Sequence, residues 1–292
     1  MTATVVSRPT VPASGSPSPV TPRRRTSPLR WVREHLIVLI AGLAFLYMLL
    51  PNAVVVLFSF NRPSGRFNST WQHFSLNAWL HPCGAPGMCE ALGLSLKIGL
   101  LATLLSTTLG TLAAFALARH RFRGRSATNL LIFLPMATPE VVMGSSLLTL
   151  FVSLRFPLGA AAILIAHVMF DISFVIVTVK ARIAGLDPRL EQAAMDHYAN
   201  ERQTFLRVTM PLVAPGIGAA ALLAFALSFD DYIITNFNAS ASSVTFPMYV
   251  YGAASKGTPV QINVIGTVMF VLALVAVGIG QVAARRRGKS SA

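Results

Sequence analysis

Charge is scarce in this chain. Asp, Glu, Lys and Arg together make up 12% of its 292 residues, about half the share found in soluble domains. That excludes an ordinary soluble enzyme. Cysteine occurs only twice, at Cys83 and Cys89, which excludes a disulfide-dense secreted scaffold. No G-x-x-x-x-G-K-[ST] run occurs, so the chain brings no P-loop of its own to cradle nucleotide phosphates. H-E-x-x-H, G-x-S-x-G and any Cys/His cluster with metal-ligand spacing are missing as well. No catalytic residue, metal or cofactor is therefore expected.

What is present is long apolar runs. Leu36–Phe60 holds 25 residues without a charge, Ile98–Ala118 holds 21, Leu212–Phe229 holds 18 and Ile262–Ala284 holds 23. A hydrocarbon core about 30 Å thick needs roughly 20 apolar residues in a helix. Two further runs are interrupted: Asn129–Leu154 carries Glu140, and Phe156–Val179 carries His167 and Asp171, with Arg155-Phe-Pro157 as a tight turn between them. The expectation is an all-α polytopic membrane protein with six transmembrane helices, near residues 36–60, 94–118, 128–154, 157–180, 211–235 and 260–284. Runs this continuous lack the period-two alternation of barrel strands.

The formal charge of +14 suggests nucleic acid until its distribution is considered. Of the 24 Lys and Arg residues, 19 lie before the first span, after the second, after the fourth or after the last. The positive-inside rule then places both termini and those two loops in the cytoplasm, and no nucleic-acid partner is expected. Residues 1–30, rich in Pro and Ser and poor in apolar side chains, read as a disordered cytoplasmic tail. Residues 31–284 read as the six-span membrane domain, and 285–292 as a basic cytoplasmic tail. The basic loop Arg119–Arg125 reads as a topology anchor at the lipid headgroups.

Cys83 and Cys89 fall in the outer loop between spans one and two, a compartment that permits a disulfide. A bridge and two free thiols both remain open. A metal site there would need more ligands than His73 and His81 supply.

The segment between spans four and five, residues 187–211, is longer than a turn requires. Asp187-Pro188 is a helix start, and Leu190, Ala193, Ala194 and His197 follow at helical spacing. Asn200 with Gln203 reads as a second start with a capping box. Phe205, Leu206 and Val208 follow before Met210-Pro211, where proline is expected to break the helix. Two short helices with an alanine pair on one face form a docking lobe.

This lobe resembles the EAA loop of bacterial ABC-importer permeases: E-A-A, three residues, Gly, nine residues, then I-x-L-P. Here the pattern falls on Gln192-Ala193-Ala194, Tyr198 and Val208-Thr-Met-Pro211, with the spacing intact. Two departures stand out. Gln192 replaces the usual Glu, although Glu191 precedes it, and Tyr198 stands where the family has Gly. Because Tyr resists positive φ, the bend is expected to widen or to shift towards Asn200, which tolerates the left-handed region better. Ser95-Leu96, Leu109-Gly-Thr111 and Ala116–Gly124 extend the resemblance. Leu134-Pro-Met-Ala-Thr-Pro-Glu-Val-Val-Met143, Ala166–Phe170 and Ser228-Phe-Asp-Asp-Tyr-Ile-Ile234 are similar to the C-type spermidine/putrescine permeases.

The resemblance implies a six-span, MetI-like permease of the bacterial plasma membrane. Its implied partners are a second permease subunit, two cytoplasmic ATPase subunits, an external substrate-binding protein and the lipid bilayer. ATP would be used by the partners alone. Glu191, Gln192, Ala193, Ala194, Tyr198, Val208 and Pro211 would make the ATPase contact. A path for flexible polyamines wants spaced carboxylates and aromatic faces, which Glu140, Asp171, Asp230, Asp231 and Tyr232 offer. By helical rise, Glu140 lies about 18 Å and Asp171 about 14 Å from the cytoplasmic ends of their spans. They are therefore neighbours in depth. His167 lies one turn before Asp171, so a local pair is the competing role for that acid. Of the adjacent acids, Asp231 is expected to face the path, with Ser228 one turn earlier on its face and Tyr232 beside it. The alternatives are a permease of the same fold for iron, thiamine, phosphate or a sulfonate, and a gradient-driven carrier, for which no matching broken spans are evident.

Overall fold

In hydrocarbon the backbone must satisfy its polar groups within its own segment, and a long apolar run of good helix formers does so as an α-helix. The computed structural model of the chain describes residues 28–120 and 122–289, with side-chain surroundings over 35–120 and 122–278. Among the described residues the regular elements are helices, apart from one isolated antiparallel bridge between Asn61 and Phe74. Of the expected 1–30 tail, residues 1–27 lie outside the described residues, as do 290–292 of the basic tail.

The chain divides into two units, Met1–Asn52 and Ala53–Ala292. Most of the first helix, α1 (Pro28–Phe58), belongs to the first unit. In the second unit follow α2 (Asn77–Leu80), α3 (Met88–Arg119), α4 (Arg125–Ala137), α5 (Glu140–Ser153), α6 (Ala160–Ala184), α7 (Arg189–Asp196), α8 (Glu201–Thr204), a π turn (Phe205–Thr209), α9 (Met210–Asp230), α10 (Ile233–Asn238), α11 (Phe246–Lys256) and α12 (Val260–Lys289). Five helical stretches among the described residues are long and apolar enough to cross a membrane, and the pair α4–α5 makes a sixth if it is one span.

That pair corrects the expectation of a continuous helix over 128–154. The chain bends by 106° between α4 and α5. Pro139 drives Thr138 into extended backbone, φ −81° and ψ 132°, because the proline ring clashes with a helical residue before it. Thr138 covers the end of α4 by giving both its N–H and its hydroxyl to the Leu134 carbonyl, at 3.0 and 2.7 Å. Span two begins at Met88 rather than residue 94, fed by a turn in which Cys83 and Cys89 are joined by a disulfide. The Arg155 turn forms as expected, with Arg155 in the left-handed region at φ 54°.

The centre of the second unit is the packing of α3, α6 and α9. Ala114, Phe115 and Leu117 meet Val175, Ile176 and Val179 of α6 and Val213, Ala220 and Ala224 of α9. Small residues let the backbones approach, the usual device where lipid removes the hydrophobic drive for association. Gly110 shows how tight this is: a Cβ there would lie 2.7 Å from Val175 Cγ1 and 3.3 Å from the Ile172 carbonyl. Polar contacts then fix the neighbours. Ser95 Oγ of α3 accepts the first N–H of α11, from Phe246, at 2.8 Å, and Lys180 Nζ of α6 donates to Asn129 Oδ1 of α4 at 2.9 Å.

Gly110→Ala should therefore lower thermal stability in detergent by roughly 1–3 kcal/mol, as overpacking does. Gly93→Ala on the same helix, where a Cβ would meet nothing within 4 Å, should be neutral or stabilising. Equal melting of the two variants would contradict this account of the α3–α6 contact.

Candidate functional site

The expected fifth span, 211–235, differs at both ends. The helix that covers most of it begins at Glu201 and stops at Asp230. Asp231 is extended, φ −63° and ψ 124°, and α10 starts two residues on. The break is held by the Asp231 carboxylate, which caps α10. Its Oδ2 accepts the Thr235 N–H and hydroxyl, both at 2.7 Å, and its Oδ1 accepts the Ile234 N–H at 3.2 Å. His167 of α6 completes the clamp. Its Nε2 lies 3.2 Å from Asp231 Oδ2 and 3.0 Å from Thr235 Oγ1, and its Nδ1 lies 2.6 Å from Ser228 Oγ. With the proton on Nε2, the ring donates to Asp231 and Thr235 and accepts the Ser228 hydroxyl proton. The His167 and Asp231 side chains are 3% and 8% exposed.

Two expectations are corrected here. Asp231 is not a free carboxylate on a path, because both of its oxygens accept hydrogen bonds within the break. His167 does not pair with Asp171 one turn along α6, because it is already committed to α9 and α10. Asp171 is fully buried, and neither of its carboxylate oxygens has a hydrogen-bond partner among the described residues. A buried acid without a partner in a span marks a functional position by default.

Asp230 is the exposed member of the pair. Consecutive helical residues point about 100° apart, so burying Asp231 turns Asp230 outward. It lines an open cavity of about 490 Å³ with Phe229, Tyr232, Phe246, Val250 and Tyr251. The Tyr232 and Tyr251 rings stack there, 4.4 Å apart and 26° from parallel. Glu140 is exposed at the first position of α5, where a carboxylate is favoured by the helix dipole. α10, whose start Asp231 caps, packs against α5, which Glu140 opens. Tyr251 and Thr235 were not foreseen. The D-Y-I-I-T order around Asp231 is a helix-start signal that would have found the Thr235 contact, whereas no local pattern marks Tyr251.

The lobe over 187–211 forms as two short helices. Asp187 Oδ1 accepts the Arg189 N–H at 2.9 Å, and the Asn200–Gln203 capping box closes at 2.8 and 3.0 Å. Between them α7 ends in a Schellman motif: the Tyr198 N–H reaches the Met195 carbonyl at 2.9 Å and the Ala199 N–H reaches Ala194 at 3.1 Å. The residue at its left-handed position is Tyr198, at φ 62° and 98% exposed. The bend therefore neither widens nor moves to Asn200. Gln192 and Ala193 are exposed, Ala194 and Val208 half-buried. Pro211 does not break the chain: the π turn over Phe205–Thr209 leads into α9 without interruption. Glu191, expected in the ATPase contact, instead turns inward, ion-paired to Arg119 and accepting the Thr209 hydroxyl at 2.5 Å, so its carboxylate is engaged within the subunit. Arg119 thus ties the end of α3 to the lobe.

Residues 106–288 match the family described as binding-protein-dependent transport system inner membrane component. The spermidine/putrescine transport system permease protein PotC of Escherichia coli K12 is 33% identical over 247 residues, covering 85% of this chain and 93% of that one. The putrescine transport system permease protein PotI of the same strain is 36% identical over 252 residues, covering 84% and 87%. The fold is similar to that of a bacterial alginate ABC transporter solved in complex with alginate pentasaccharide-bound periplasmic protein, with a TM-score of 0.63, 15% identity and coverage of 88% and 96%.

The left-handed Tyr198 carries a testable strain. A non-glycine residue in that region costs about 1–2 kcal/mol, less what glycine gains in the unfolded chain. Tyr198→Gly should raise the melting temperature slightly. Tyr198→Pro, with φ fixed near −65°, should open the lobe to proteolysis between α7 and α8. A lower melting temperature for the glycine variant would count against a strained Tyr198.

Proposed function

The chain belongs to the family of binding-protein-dependent transport system inner membrane components and is an inner-membrane permease subunit of an ABC importer, and from that premise we propose that it carries polyamines past the Asp230–Tyr232–Tyr251 cavity. The observation that carries this reading is the cavity's chemistry. One exposed carboxylate beside two stacked phenol rings suits an alkylammonium group, which a carboxylate neutralises and an aromatic face attracts. Its lining holds no Lys or Arg, which argues against a phosphate or sulfonate. The spermidine and putrescine named for PotC and PotI point the same way.

In this reading Asp230 and Glu140 meet the first ammonium group, and Asp171 receives the next once the helices separate. Asp231 and His167 hold the framework. ABC permeases work with a second permease, an ATPase and a periplasmic binding protein. For this chain the proposed assembly is a heterodimer with a second permease on two ATPase subunits. The 187–211 lobe and both termini face the cytoplasm, and Ala193-Ala194 lies in the ATPase contact. The subunit binds no nucleotide and needs no cofactor of its own, so alone it transports nothing.

Asp230→Asn should lower spermidine or putrescine uptake about tenfold, the effect of losing one charge-assisted contact, with assembly intact. Asp231→Asn should instead lower thermal stability. Full uptake by assembled Asp230→Asn transporter would overturn the assigned path. Ala193→Arg should release the ATPase on purification while the spans stay folded. Retention of the ATPase with normal import would remove the lobe from that contact.

A further inference from the structure

The lobe has to move spans, and the three central helices are joined to it in different ways. With α9 the link is covalent and stiff, since Glu201–Asp230 is one continuous helix through the π turn. With α6 it is also covalent, over the short stretch 185–188, and Arg182 of α6 braces α9 just beyond the lobe. That guanidinium donates twice to the Leu212 carbonyl, at 3.1 and 3.0 Å. Its stem lies across Gly216, where a Cβ would come within 2.6 Å of it. No such connection exists for α3, which leaves the lobe by sequence 72 positions before Glu191.

We propose that Arg119, the last residue of α3, forms with Glu191 and Thr209 a clasp that makes α3 follow the lobe when the ATPase moves it. This rests on the reading of the lobe as the ATPase contact. Three groups converge on Arg119. Its guanidinium pairs with the Glu191 carboxylate of α7 and lies 3.4 Å from the Thr209 hydroxyl of the π turn. Its Cζ sits 5.6 Å above the Phe205 ring, and that ring packs edge-on to Phe115, one turn earlier on α3, at 5.2 Å. Thr209 is buried and hands its proton to the same Glu191 oxygen that Arg119 grips. Arg119, Glu191 and Thr209 also wall a 150 Å³ cleft with Leu186, Leu190 and Leu212. The clasp therefore touches both arms of the lobe at once, which a single contact to α7 or to the π turn would not do.

An ion pair this exposed, 40% and 35% by side chain, adds little to stability. Its worth is directional. A guanidinium held by a carboxylate of α7 and seated over a ring of the π turn is tethered at two separate points, so a displacement of α7 arrives at α3 rather than being lost in a loose joint. Arg119 and Glu191 are positioning residues in this scheme, and Gln192, at the family's acidic position, stays exposed on the outer face.

The test uses the assembled transporter, with its second permease, ATPase and binding protein, in proteoliposomes loaded with ATP. Substrate imported per ATP hydrolysed is measured with spermidine as the probe, alongside binding-protein stimulation of hydrolysis and retention of the ATPase. Arg119→Ala and Glu191→Ala should each keep the ATPase bound but lower import per ATP about fivefold, and the double variant should fall no further, as expected of two residues acting through one contact. If either alanine variant fails to assemble, Arg119→Lys and Thr209→Val stand in, each expected to show a smaller loss in the same ratio. Wild-type import per ATP in the single variants, or losses that multiply in the double, would overturn the clasp. A loss of ATPase retention in step with import would also overturn it, since a merely structural role predicts that. Failure of the lobe assignment would show separately, as Ala193→Arg transporter that holds its ATPase.

Discussion

A helix that stops within an apolar span must bring its own hydrogen-bond partners, because lipid offers none. This requirement organises the second unit. The chain breaks at Thr138-Pro139 and again at Asp231-Tyr232, and each break is satisfied from within: Thr138 by bonding back to Leu134, Asp231 by capping α10 while His167 reaches across from α6. The acids that suggest a path all lie beside these breaks or on the helix that crosses them. Glu140 opens α5, Asp230 closes α9, and Asp171 lies one turn beyond His167 on α6. Broken spans are where non-helical backbone is tolerated because it lines a cavity or is buried in protein. The 490 Å³ cavity beside Asp230 and the buried, unpartnered Asp171 occur where that rule places them.

The adjacent aspartates divide two tasks that conflict. A carboxylate that caps a helix must be buried and fully bonded, whereas one that receives a mobile cation must be open and free to exchange. One residue cannot do both. Asp231, extended just past the end of α9, takes the first task, and Asp230 is left as the open carboxylate that the proposed path needs. The neighbouring aromatic pair adds a face without adding a competing donor.

Much of this was legible in the sequence. The four charge-free runs located four of the five helical stretches long enough to cross a membrane, because hydrophobic length is a one-dimensional property. Asp187, Asn200 and Gln203 announced the two lobe helices, since capping is local. Non-local partners were not readable. Asp230 and Asp231 look interchangeable until the backbone is seen to turn extended at Asp231. His167 had an obvious partner in Asp171 but took Asp231, 64 positions away. Arg119 looked like one more headgroup anchor in a basic loop. Tyr198 departs from its local preference for a different reason: the reluctance of tyrosine is opposed by two carbonyls of α7 that the Schellman motif satisfies only if residue 198 is left-handed. Those bonds hold the bend in place.

Pro211 shows how such a constraint becomes mechanism. Within an uninterrupted α-helix its ring would collide with the Arg207 carbonyl and its nitrogen would donate nothing. The π turn over Phe205–Thr209 relieves this by widening the helix at that point, which leaves the axis continuous but inserts one extra residue. An inserted residue rotates everything before it by roughly 100° relative to α9. Phe205 is thereby aimed at Phe115 and Arg119, while Thr209 meets Glu191. A straight α-helix would direct the same side chains elsewhere, and a true break would free the lobe from α9. The π turn thus meets both conditions that the proposed coupling element needs: an unbroken rod into α9, and a side-chain face turned towards α3.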